Sequence, residues 1–173
     1  MMKSGIRIDI PGFGRLHIQA VCSDYTGTLS REGELIDGVS ERLRRLAELV
    51  DIHVVTSDTR KTARQQLAGL PLTLHDNIAP DDHDVFKRDY LTKLGVDLSH
   101  IAVFGNGRND RLWLAAVRDA GGLSIAVDAG EGCAVEAMTS ANLFVTGVGN
   151  ALDLLLDTKR IIATLRTKGD GGS

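Results

Sequence analysis

The chain is short of the residues that mark a special environment. Only two cysteines, Cys22 and Cys133, occur in 173 residues, and they form no metal-binding or redox spacing. That excludes a disulfide-stapled fold and a thiolate metal centre, and it makes Cys22 a small core residue. No apolar run approaches the roughly 20 residues needed to span a bilayer, so no membrane partner is expected. The opening MMKSGIRIDI lacks the apolar core of a secretory signal. A reducing cytoplasm is therefore the expected setting. Charge of one sign is scarce as well: a formal net charge of −3 gives no hint of a nucleic-acid surface, and no nucleic-acid partner is expected. Five histidines, His17, His53, His75, His83 and His100, are scattered without ligand spacing and read as structural or surface residues. There is no Walker lysine motif, no internal repeat, and no low-complexity tract before the closing TKGDGGS.

What is present is an alternation. Apolar residues make up 43% of the chain and charged residues 25%, which suits one domain over residues 1–173 with a substantial core. Residues 167–173 are expected to be a disordered tail. Residues 6–22 open as a hairpin turned at PGFG, with Leu16 to Ser23 as the first core strand. Val39, Leu43, Leu46, Ala47 and Val50 fall on one helix face, opposite Arg42, Arg44, Arg45 and Glu48. Ile52 to Thr56 reads as a strand, Thr59 to Ala68 as a helix ended by Gly69 and Pro71, and Leu72 to His75 as an edge strand. Asp82 or Asp84 caps a helix reaching Leu94. Strands at Ile101–Phe104, Ser124–Val127 and Leu143–Val145 follow, with helices over Asn109–Ala120 and Ala151–Leu165. The pattern predicts an α/β fold, a three-layer Rossmann-like sandwich around a mainly parallel sheet in the order 3-2-1-4-5.

In such sheets ligands bind outside the carboxyl ends of the strands. Three of those ends carry reactive side chains: Asp24-Tyr25-Thr26-Gly27-Thr28, Thr56-Ser57-Asp58, and Gly105-Asn106-Gly107-Arg108-Asn109-Asp110. Glycine turns and helix N-termini present backbone N–H groups to an anion. Carboxylates with no histidine or thiolate beside them favour a hard cation such as Mg²⁺. A site for a phosphate and Mg²⁺ follows from these residue types. Plainer readings exist: Asp24 can start a turn, Thr56 and Ser57 can cap a helix, and Lys87 can be a solvated charge with Lys93 as its rival. Arg60, Lys61 and Arg108 flank the expected mouth, either as an attraction for an anionic substrate or as surface charge.

These motifs resemble the haloacid dehalogenase (HAD) superfamily, and within it the phosphorylation domain of P-type ATPases. DYTGT matches that group's DKTGT with Tyr25 in place of lysine, VVTSD is similar to its TGD segment, and GNGRND to GDGxND. Lys87 lies 19 residues before Asn106, close to the separation of the phosphate-binding lysine in those pumps. The resemblance implies that Asp24 is a nucleophile forming an aspartyl-phosphate. It implies Mg²⁺ on Asp24, the Thr26 carbonyl and either Asn106 or Asp110. Thr56, the Ser57 N–H and Lys87 are then the groups that hold the substrate's phosphoryl oxygens, and Asn109 orients the loop or a phosphate oxygen.

Two departures shape the expected activity. Most HAD phosphatases carry an acid–base aspartate two residues after the nucleophile, where this chain has Thr26, as in the pumps. General acid–base help is worth about 10²–10⁴-fold, so turnover should be slow. Asn106 stands where the family usually has a metal-binding aspartate, which removes one negative charge. Only about 30 residues separate the first two motifs, leaving no room for a cap or a nucleotide domain. The resemblance thus implies a capless, Mg²⁺-dependent phosphohydrolase acting on a phosphorylated small molecule or protein, with a homo-oligomer possible because a neighbouring copy can cover the open site. The competing reading is a HAD-fold binding or regulatory protein with weak or no catalysis. Trp113 and Leu114, on the helix after GNGRND, read either as a partly exposed contact for a neighbouring copy or as core residues.

Overall fold

The structure is a computed structural model that describes residues 2–78 and 81–169. Strands β1 (Ile6–Ile10) and β2 (Gly14–Ile18) pair antiparallel across the Pro11–Phe13 turn. Strand β3 (Ala20–Ser23) enters the main sheet, and a small hairpin, β4 (Ser30–Arg31) and β5 (Glu34–Leu35), leads to α1 (Val39–Ala47). Next come β6 (Asp51–Val55), α2 (Ala63–Gln66), β7 (Thr73–His75) and α3 (His83–Thr92). The second half holds β8 (Ile101–Gly105), α4 (Arg111–Asp119), β9 (Leu123–Asp128), α5 (Val135–Ser140), β10 (Leu143–Thr146), α6 (Val148–Leu156) and α7 (Thr158–Leu165).

The main sheet runs β10-β9-β8-β3-β6-β7, every pair parallel. Counting only its own strands in chain order, that is 6-5-4-1-2-3, the expected order extended by one strand. Strand β3 is central, and all four of its residues are buried, as a sheet covered on both faces requires. Alternation sorts the side chains. Val21, Ile52, Val54, Ala102 and Phe104 face the core shared with α1, α6, α7 and the β1–β2 hairpin. Ala20, Cys22, Val55, Ile101 and Val103 face α3, α4 and α5.

Four expectations change on inspection. The strand expected over Leu16–Ser23 breaks at Gln19, whose N–H donates to His100 O and whose carbonyl accepts from Asp51 N–H. The helix expected over Thr59–Ala68 shrinks to four residues, because Asp58 (φ 45°) and Lys61 (φ 56°) take left-handed turns before it. The last helix is two: Asp157 is extended and its carboxylate accepts the Lys159 N–H at 3.3 Å, capping α7. The helix expected from Asn109 begins with a 3₁₀ turn at Arg108–Asp110. Of the expected tail, Thr167 donates its N–H to Pro11 O at 3.0 Å, while residues 170–173 lie outside the described residues. Between Asp24 and Thr56 the chain holds only the β4–β5 hairpin, α1 and β6, so no cap is inserted there.

Candidate active site

Asp24 follows the last residue of β3 and remains tied to the sheet, its N–H donating to Phe104 O at 3.2 Å. The chain then turns sharply: Tyr25 O accepts the N–H groups of Thr28, Leu29 and Ser30. Tyr25 is wholly buried and donates its hydroxyl to Gly33 O at 2.7 Å, so the residue replacing the pump lysine anchors the β4–β5 hairpin instead of meeting substrate. Gly27 (φ 73°) admits no side chain, since a Cβ there would run into the Asn106 amide.

The Asp24 carboxylate is 5% exposed. Its Oδ1 accepts the Tyr25 N–H at 2.7 Å, and its Oδ2 lies 3.3 Å from Lys87 Nζ. Lys87, on the inward stripe of α3, is only 1% exposed, whereas Lys93 at the end of that helix is exposed. The Lys87 ammonium also donates to Asp110 Oδ1 at 2.8 Å and lies 5.3 Å from the Trp113 ring centroid. Asp110 Oδ2 accepts the N–H groups of Asn106 and Gly107 at 3.0 and 2.9 Å. One ammonium thus serves two buried carboxylates, leaving a net charge of −1. Burial is the main force that pushes the Asp24 carboxyl up, to about 7; Lys87 opposes the rise, Asp110 adds to it and the Tyr25 N–H opposes it. Burial disfavours the charge on Lys87, but Asp110 and Asp24 outweigh it and hold the ammonium above its usual range.

Asn106 is drawn into the same network. Its Oδ1 accepts the Thr28 hydroxyl at 3.1 Å, its Nδ2 donates to Gly132 O at 3.3 Å, and its carbonyl accepts the Ala134 N–H at 2.8 Å. Thr26, half-buried, opens the turn beside it. Thr56 is fully buried, and its hydroxyl accepts the Asp58 N–H at 3.0 Å. Asp58 in turn accepts from the N–H groups of Thr62 and Ala63, which braces the loop. Ser57 and Asn109 are half-buried on the two flanking loops. Asp24, Lys87, Asn106 and Asp110 therefore belong to one connected edge, while Thr56, Ser57 and Asn109 stand on adjacent loops with no hydrogen bond into it among the described residues. The bracing roles of Thr28 and Asp58 were not foreseen from the sequence. Trp113 and Leu114, candidates for an exposed interface, are fully buried.

A metal at this edge would find oxygen donors in the Asp24 carboxylate and the Asn106 amide, with Asp110 joined to Asn106 behind them. No group of three or more His, Cys, Asp or Glu side chains is placed to hold a metal among the described residues. The donors suit a hard cation, completed by water and with a low count of protein charge.

This architecture, with an aspartate at the lip of the central parallel strand, is the HAD-like fold. A deoxy-D-mannose-octulosonate 8-phosphate phosphatase from Haemophilus influenzae, solved with cobalt, superimposes with a TM-score of 0.61 at 16% identity, over 87% of this chain and 94% of that one. The 3-deoxy-D-manno-octulosonate 8-phosphate phosphatase of Moraxella catarrhalis, solved with magnesium and phosphate, gives 0.54 at 21% identity, over 86% and 94%. A putative HAD hydrolase from Legionella pneumophila gives 0.61 at 18% identity, over 85% and 87%. No family model and no curated protein matches the sequence. No helix among the described residues is long and apolar enough to cross a membrane.

Proposed function

We propose that the chain is a phosphohydrolase in which Asp24 attacks the phosphorus of a phosphate ester and is itself transiently phosphorylated. The observation that carries this reading is the buried Asp24–Lys87–Asp110 triad at the carboxyl edge of the sheet. A carboxylate so desolvated, held by an ammonium and aimed from a strand end, is placed for nucleophilic attack. Mg²⁺ held by Asp24, the Thr26 carbonyl and Asn106, supported by Asp110, would neutralise charge on the phosphoryl group. Lys87 adds a fixed positive charge, and Thr56, Ser57 and Asn109 offer donors to the phosphoryl oxygens. The Thr26 hydroxyl neither ionises nor accepts a proton near neutral pH and so cannot activate water as a base, which makes hydrolysis of the aspartyl-phosphate the slow step. The substrate is a phosphorylated small molecule or protein, met in the reducing cytoplasm where Cys22 and Cys133 stay as thiols.

A second reading has its own support. The Asn106 side chain is committed to Thr28 and Gly132, which closes the network without further partners. In that reading the chain binds phosphate and turns nothing over. A phosphatase assay on a panel of phosphorylated metabolites separates the two. The first requires release of phosphate with Mg²⁺, loss with a chelator, and loss in Asp24→Asn. Phosphate binding without release in every case supports the second. Self-association would draw on exposed apolar residues such as Val135, Met138 and Phe144, and a monomer by light scattering at high micromolar concentration would remove it.

A further inference from the structure

Beside the proposed phosphoryl site a cleft of about 490 Å³ opens between the β6–α2 loop and the loop after β7. Ser57, proposed above as a donor to the phosphoryl oxygens, lines this cleft, so a substrate whose phosphoryl group sits at that strand end has the cleft open to its remaining atoms. The other walls are Asp58, Lys61, Arg64, Asp76 and Asn77, with buried Ile78 as an apolar floor. Formally the two acids and two bases balance, but they are not equally available to a ligand. Asp58 is 7% exposed and spends both oxygens on the N–H groups of Thr62 and Ala63. Arg64 and Asp76 neutralise each other in a bidentate pair at 2.7 and 3.1 Å. Lys61 is exposed and makes no ion pair among the described residues, so it is the cleft's unpaired cation. Its backbone is left-handed (φ 56°), held there as its N–H donates to Asp58 O at 2.9 Å. Such a conformation disfavours a side chain and persists only where the surroundings enforce it.

We infer that the cleft is a specificity subsite in which Lys61 receives a second anionic group, carboxylate or phosphate, of the phosphate ester whose phosphoryl group goes to Asp24. The assignment rests on the phosphohydrolase reading. The Asn77 amide offers further hydrogen bonds to the same part of the substrate, and Ile78 takes its carbon skeleton.

Matched probe pairs test it. 3-Phosphoglycerate against glycerol 3-phosphate isolates a carboxylate, and fructose 1,6-bisphosphate against fructose 6-phosphate isolates a second phosphate. For each pair, kcat/KM and the calorimetric Kd are measured with Mg²⁺ for the natural chain, Lys61→Arg and Lys61→Glu. A partly solvated ion pair predicts about fivefold preference for the more anionic member in at least one pair. Lys61→Arg should keep that preference and Lys61→Glu should reverse it; the pair that responds identifies the group. No preference in either pair, or a preference that Lys61→Glu leaves unchanged, overturns the subsite while turnover keeps the phosphohydrolase reading. Should no probe be turned over, that reading fails, and the Kd ratios still decide the subsite by the same criteria.

Discussion

Asp24→Asn should make the protein more stable while destroying its activity. The buried cluster carries two carboxylates and one ammonium, and the amide removes its uncompensated charge. Burial raises the Asp24 carboxyl from 3.8 to about 7, so the folded chain binds a proton there more tightly than the unfolded chain between those values. Stability from this group is therefore fully present below pH 4 and is lost as pH rises towards 7. Taken at face value, a rise of about three units is about 4 kcal/mol of ionisation penalty at pH 8. Mutual screening within the cluster and relaxation around Asp24 bring the expected gain to about 2 kcal/mol. For a chain of this length that is a rise in melting temperature of about 4–8 °C. Calorimetric melts in chelator, from pH 4.5 to 8.5, would show the variant's advantage growing with pH and levelling off above 7. A flat difference, or a variant less stable than the natural chain at pH 8, would refute the picture of a desolvated carboxylate.

Lys87→Met should cost about 3–5 kcal/mol in urea unfolding at pH 8, since it leaves two buried carboxylates without a countercharge; the cost should ease at pH 5.5, where Asp24 takes a proton. Thr26→Asp should restore a proton shuttle. With an activated aryl phosphate the natural chain is expected to show a burst and then slow turnover, and the variant a faster second phase by up to about 10²-fold; a linear course from the first turnover would mean that phosphorylation limits. Trp113 is the chain's single tryptophan and lies 5.3 Å from the Lys87 ammonium. Its emission should therefore change when inorganic phosphate and Mg²⁺ fill the site, and lose that response in Lys87→Met.

The parts legible in the sequence were those dictated locally. Strand β3 shows as Ala-Val-Cys before an aspartate, and α1 shows its apolar stripe at Val39, Leu43 and Leu46 because each pattern repeats with the period of its element. Lys87 could be picked over Lys93 only by its distance from Asn106; burial of one and exposure of the other is a tertiary fact. The loop after β6 was misread as helix because Arg60 and Lys61, good helix formers, run into Ala63–Gln66, while the left-handed turns at Asp58 and Lys61 depend on bonds that no periodicity reveals. Trp113 was ambiguous for the same reason: a helix face is apolar whether it meets a core or a partner. The ties from Asn106 to Thr28 and to Gly132 span 78 and 26 residues of sequence. Asp128 had a weak local signal, an aspartate before AGEG, and its Oδ1 does hold the Gly130 and Gly132 N–H groups that shape the loop reaching Asn106.

The central claim is that Asp24 becomes phosphorylated. Rapid acid quenching during turnover of an activated aryl phosphate with Mg²⁺, followed by mass spectrometry of the cleaved chain, tests it most directly. The account predicts one added phosphoryl group on the peptide containing Asp24, labile to hydroxylamine and absent from Asp24→Asn. Phosphate release at full rate with no modified peptide, or with the phosphoryl group on another residue, would contradict it.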